Sequence, residues 1–143
     1  MAPMIFAKSI LNQEPIKVFN FGKMRIDFTY IDDIVEGVYR CCYKPAVINE
    51  KFEDLNPDKS TSFAPYRIFN IGNSQPVELL RFIEILEDAL GVKAIKNFQP
   101  MQPRDVEATA ADTSLLEKWI GFKPSTSLET GINKFAKWYI DYY

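Results

Sequence analysis

Histidine is absent from this 143-residue chain. Its absence removes the commonest general base and the commonest metal ligand, and with them any Ser-His-Asp constellation. Cysteine is nearly absent too. The only two, Cys41 and Cys42, are adjacent, so they cannot form a disulfide framework, which suits a reducing compartment. No stretch reads GxGxxG or GxxxxGK[ST], so neither glycine-rich phosphate loop is available. There is no block of Lys or Arg, and the formal net charge is −2. Nucleic-acid binding through bulk charge is thereby disfavoured. No apolar run approaches the ~18–20 residues needed to span a bilayer. The opening "MAPMIFAKSILNQ" is too polar for a signal peptide and lacks a cleavage pattern. These absences predict a cytoplasmic chain that engages neither membrane nor nucleic acid.

What the chain does have is apolar material: 47% of residues are hydrophobic and 14% aromatic, enough to bury a core. The length suits one domain over residues 1–143. Met4, Ile5, Ala7, Ile10 and Leu11 keep helical spacing over 2–12. Strands are expected at 15–22 ("PIKVFNFG"), 27–31 ("DFTYI"), 66–72 ("YRIFNIG") and 93–98 ("KAIKNF"), from their alternating or continuous apolar character. Asp32 or Asp33 is placed to cap a helix at about 33–44, and Asp33 with Glu36 has capping-box spacing. Leu79, Ile83, Leu86 and Leu90 form a helical stripe ended by Gly91, with Pro76 at the expected first helical position. "TSLLEKWIGF" reads as a short helix ending at Gly121, and Thr126 with Glu129 as a second capping box. Ile132, Phe135, Ala136, Tyr139 and Ile140 then mark an amphipathic last helix. Residues 45–65 are polar and unpatterned, a loop long enough to be mobile or functional. Mixed helices and strands without strict alternation predict an α+β fold of mixed small sheets with helices.

Few residues carry visible chemistry. Asp32–Asp33 suit helix capping, with general acid–base work as the alternative. Lys17, Lys23 and Arg25 beside the first strands suit either phosphate cradling or ordinary edge-strand charge. Arg104–Asp105, in a Pro-rich loop, suit either a ligand contact or a solvated turn.

Four stretches together resemble a known family: "FAKSILNQEPIKVFNFGKMRIDFTYIDDIVEGV", "YRIFNIGNSQPVELLRFIEILEDALG", "MQPRDVEATAADTS" and "GFKPSTSLETGINKFAKWYIDYY". In order and in combination they are similar to the C-terminal, substrate-binding part of nucleotide-sugar epimerases of the extended short-chain dehydrogenase/reductase superfamily, most of all the UDP-glucuronate 4-epimerase group. The resemblance covers nearly everything except 45–65. It implies a fragment of an NAD-dependent isomerase of carbohydrate metabolism, such as capsular polysaccharide formation, that supplies the UDP-sugar-binding half. The full enzyme would invert C4 by transient oxidation. It also implies that the NAD-binding Rossmann part is missing, because no tyrosine here has a lysine four residues later. No catalytic, cofactor-binding or metal residue is therefore expected on this chain, which alone should bind no NAD and be inactive. The partners implied are a weakly bound UDP-sugar and the missing Rossmann half, or self-association in its place. Backbone around Lys17, Val18 and Phe19 would meet the uracil. Arg25, Gln102, Arg104 and Asp105 would meet the phosphates and ribose. The chain departs from the family at Ile26, where an arginine is usual, at Arg104 for glycine, at Glu107 for proline and at Ala110 for an aromatic. The alternatives are a stand-alone nucleotide-sugar-binding or interaction module, and a fragment of a related UDP-sugar dehydratase or epimerase.

Overall fold

The computed structural model describes residues 2–103 and 105–143. Over these residues the order is α1 (Ala2–Leu11), β1 (Ile16–Val18), a 3₁₀ turn (Phe19–Gly22), β2 (Arg25–Ile26), α2 (Ile31–Tyr43), β3 (Val77–Glu78), α3 (Leu79–Leu90), β4 (Lys96–Phe98), α4 (Ser114–Ile120) and α5 (Leu128–Tyr142). The fold is α+β: helices with two small sheets. β1 pairs with β4 in parallel, and β2 with β3 antiparallel. None of the helices is long and apolar enough to cross a membrane.

The chain divides into two units, Met1–Phe28 with Gln75–Ala110 and Thr126–Tyr143, and Thr29–Ser74 with Ala111–Ser125. The first holds the main core. α3 is its centre because its apolar residues recur every three or four positions; Phe82, Ile83 and Leu86 are fully buried. They pack with Phe6, Ala7 and Ile10 of α1, Ile16 and Val18 of β1, and Ile132, Ala136 and Tyr139 of α5. Gly91 ends α3 in the left-handed conformation at φ 69°, as a C-terminal glycine should. α5 opens on Ser127, whose Oγ accepts from the Thr130 N–H at 3.2 Å. The cap is therefore one residue after the expected Thr126.

In the second unit α2 lies on Gly37, the buried residue of that helix. A methyl group there would come within 2.5 Å of Ile71 Cδ1. Leu116 of α4 is buried, and Phe69 and Trp119 pack with ring centroids 6.0 Å apart. Residues 45–65 have no regular structure beyond a bridge between Thr61 and Arg67. The loop is tied by its own contacts: Asn49 Nδ2 donates to Thr61 Oγ1 at 3.0 Å, and Phe52 meets Phe63 edge-on.

Several expected elements take another form. "DFTYI" is not a strand: β2 stops at Ile26 and α2 begins at Ile31. "YRIFNIG" is not a buried strand either. Ile68 is half exposed, and the segment pairs only through the Thr61 bridge. A strand needs a neighbour to take its backbone groups, and apart from that bridge this segment has none among the described residues. The α2 N-cap is Tyr30 and makes no side-chain cap bond. Asp33 Oδ2 instead accepts from the Ser125 N–H at 3.2 Å. Pro76 precedes β3 rather than opening α3.

Candidate functional site

The residues expected to meet a nucleotide all belong to the first unit. Ile16 and Val18 are buried and Lys17 between them is exposed, because successive side chains on a strand face opposite ways. The backbone alternates as well. Ile16 N–H donates to the Ile95 C=O at 2.8 Å, and Val18 C=O accepts from the Gln99 N–H at 2.9 Å. In a parallel ladder the bonded residues are every second one. Lys17 therefore turns its N–H and C=O to the opposite edge, where no strand pairs among the described residues. Val18 is still extended at φ −109°, ψ 92°, so the Phe19 N–H continues this alternation and points to the same free edge.

The chain then turns sharply. Asn20 and Phe21 have φ of 48° and 49°, and Gly22 has φ 81°. Glycine suits this conformation and asparagine tolerates it, but phenylalanine rarely adopts it. The turn is held by the Phe21 N–H donating to the Gln99 C=O at 3.1 Å. Side-chain space is closed at Gly22, where a methyl group would sit 2.6 Å from Leu80 Cγ.

Arg25 is exposed on β2 and its Nη2 donates to the Pro76 C=O at 3.3 Å. Ile26, on the opposite face, packs against the core. The Arg25 backbone also holds the 99–110 segment. Its N–H donates to the Glu107 C=O at 2.9 Å, and its C=O accepts from the Thr109 N–H at 3.0 Å. Thr109 Oγ1 in turn accepts from the Asp27 N–H at 3.1 Å. Gln102 and Asp105 are exposed and joined by a turn, with Asp105 N–H donating to the Gln102 C=O at 3.2 Å. Arg104 lies outside the described residues. The 99–109 loop is thus fixed at Gln99 beside Lys17–Phe19 and at 107–109 beside Arg25.

Sequence reasoning missed the clamping residues Gln99, Glu107 and Thr109. They act through backbone groups or a short hydroxyl and leave no motif. The "NFG" turn did carry a signal, since Asn and Gly flank an otherwise apolar run.

One buried carboxylate positions β4 and, through it, β1. Glu87, on α3, is 3% exposed. It pairs with Lys96, which stands opposite Ile16 in the ladder, and with Lys93 at 3.1 Å, and it accepts from the Ala94 N–H at 3.1 Å. Burial pushes its pKa up. The hydrogen bonds from Lys96, Lys93 and Ala94 outweigh that and hold it below the ordinary glutamate range.

No family model matches the chain, but individual proteins do. It is 46% identical to Protein CapI of Staphylococcus aureus over 143 residues, all of this chain and 43% of that protein. It is 43% identical to a probable UDP-glucuronate 4-epimerase of Rhizobium meliloti, over 97% of this chain and 41% of the relative. The fold superimposes on a crystal structure of UDP-glucuronic acid 4-epimerase from Bacillus cereus in complex with UDP-glucuronic acid and NAD. There the TM-score is 0.76 and the identity 27%, over 100% of this chain and 40% of that one. The chain matches the C-terminal part of UDP-glucuronate 4-epimerase-like proteins. It spans about two fifths of the length of those relatives. The expected family resemblance and α+β class therefore stand.

Proposed function

We propose that residues 1–143 supply the UDP-sugar-binding portion of a nucleotide-sugar 4-epimerase of the UDP-glucuronate type, a cytoplasmic enzyme serving polysaccharide synthesis. The observation that carries this reading is the free edge of β1. Lys17 C=O and Phe19 N–H form an acceptor–donor pair on one side of the strand. The imide edge of uracil, N3–H beside C4=O, complements that pair. Arg25, with Gln102, Arg104 and Asp105 of the loop held at Gln99 and at 107–109, would face the diphosphate and ribose, since cations and backbone N–H groups suit phosphate oxygens. The likeness to relatives named as UDP-glucuronate 4-epimerases supports the choice of ligand.

NAD is the redox group of the proposed full reaction and supplies hydride removal at C4 and its return. The residues of this chain do not fit that group. They hold neither the glycine fingerprint nor a Tyr-x-x-x-Lys pair, so no residue here is placed on NAD and no step is assigned to it. The chain by itself is expected to bind UDP in the millimolar range, roughly −4 kcal/mol, and to turn over nothing. Ligand-observed NMR with UDP checks the first point. Incubation with NAD and UDP-glucuronate, followed for UDP-galacturonate, checks the second, and product above a protein-free blank would refute it.

A second surface bears on partners. On α2, Ile31, Val35, Val38 and Tyr39 are each more than half exposed. Their spacing of i, i+4, i+7 and i+8 puts them on one face. The first helix shows less: Ile5 is exposed but Phe6, Ala7 and Ile10 are buried. A contiguous apolar stripe of this kind is an interaction surface. In this reading it receives the cofactor-binding portion, and the isolated chain uses it to self-associate. Replacing Val35 and Val38 together by lysine is expected to shift light scattering from concentration-dependent association to monomer. A double variant that associates as the parent does would remove α2 from the interface.

A further inference from the structure

The second unit carries an open surface groove of about 500 Å³ lined by Arg40, Tyr43, Lys44, Lys118, Trp119, Ile120 and Gly121. It has three cations and two aromatic rings in its wall and no carboxylate among these lining residues, in a chain whose net charge is negative. Part of this charge has a structural reason. Lys44 Nζ donates to the Trp119 C=O at 2.6 Å and Arg40 Nη1 to the Gly121 C=O at 3.4 Å, so both cap the carbonyl end of α4, where cations are favoured. Trp119 Nε1 returns a bond to the Lys44 C=O at 3.0 Å, which locks the indole to the end of α2. Capping does not explain the rest. Lys118 also lines the groove, and Lys44 Nζ and Arg67 Cζ stand 4.7 and 5.0 Å from the Trp119 ring centre. Of these four cations only Arg40 has a carboxylate within ion-pair distance among the described residues, Glu36 at 2.6 Å.

We infer that this groove binds a small organic phosphate of nucleotide size, with its phosphate on Arg40, Lys44 and Lys118 and its ring against the exposed Tyr43. A lysine ammonium has three donors and an arginine five, so Lys44 after its cap bond, and Arg40 after its cap bond and its ion pair with Glu36, each keep donors for an oxyanion. This site is in a different unit from β1 and does not depend on the proposed UDP-sugar role.

The two tryptophans, Trp119 and Trp138, make the test local. In ¹H–¹⁵N spectra of the full chain at constant ionic strength, ADP should move the Trp119 indole N–H resonance saturably and leave that of Trp138, in the other unit, in place. Adenosine should do little, because the phosphate is missing. Lys118→Gln, an exposed substitution that touches no cap, should weaken ADP at least threefold. Lys118→Arg, which keeps the charge, should bind like the parent. Non-saturable movement, an equal response to adenosine, or unchanged ADP affinity in Lys118→Gln would each overturn the site.

Discussion

Glu87→Gln is expected to lower stability at pH 7 by about 3 kcal/mol, the low end for breaking a buried pair. The low end applies because Lys93 is 75% exposed and already well solvated, while Lys96 is 27% exposed. For a chain of this size the loss corresponds to a fall in Tm of about 8 °C. The effect is large because one carboxylate meets three donors from the segment just beyond the α3 cap, Lys93, Ala94 and Lys96. The same interaction gives a pH signature. The folded carboxyl is held below its ordinary value near 4.5. Its stabilisation is therefore fully present above the unfolded value and is lost as pH falls through the folded one. The difference in Tm between parent and variant should be constant from pH 7 to about 5.5 and shrink steadily below about 4.5. Thermal melts by circular dichroism across pH 7 to 3 measure it. A gap that is absent at neutral pH, or that persists undiminished in acid, would show that the pair does not anchor β4.

Glu87 also marks the limit of what the sequence made legible. The stripe Leu79, Ile83, Leu86 and Leu90 located α3 and its buried face, and Gly91 located its end. A helix closes its own hydrogen bonds, so its pattern can be read locally. Glu87, on the same helix, looks like a solvated charge. Its burial follows from lysines beyond the glycine cap that fold back on it, which no periodicity reports. Strands failed for the same reason in reverse. "DFTYI" and "YRIFNIG" have strand composition, but a strand exists only with a partner. β1 and β4 did form where expected, though each covers only part of its predicted run. The site shares this split. Lys17, Arg25, Gln102 and Asp105 could be named from resemblance, and all prove exposed in one unit. Which backbone groups face outward depended on the register with β4. How the 99–109 loop is fixed depended on the bonds to Gln99 and Arg25.

Phe19→Pro is expected to abolish detectable UDP binding while leaving the fold intact. In the β1–β4 ladder, Ile16 and Val18 carry the bonds to β4, and Lys17 C=O and Phe19 N–H form the next pair on the opposite side. A uracil imide docking there would accept from the Phe19 N–H and donate to the Lys17 C=O, as a strand residue would. Proline removes the donor alone. Val18 before it is in the extended region at φ −109°, ψ 92°, outside the helical region that proline disfavours for its predecessor, and the Phe19 N–H has no partner among the described residues. Losing a hydrogen bond to a buried polar edge typically costs 1–3 kcal/mol, about fivefold to a hundredfold in Kd, which moves a millimolar ligand beyond detection. Two controls separate backbone from side chain. Phe19→Leu keeps the donor and should bind UDP within about threefold of the parent. Lys17→Ala keeps the carbonyl and should do the same, since the side chain is not the recognition group. Saturation-transfer NMR with UDP reads all three variants, and circular dichroism confirms that each is folded. If Phe19→Pro binds as the parent does, or if Lys17→Ala loses binding while Phe19→Pro keeps it, the base does not lie on the β1 edge and recognition runs through the lysine side chain or another surface.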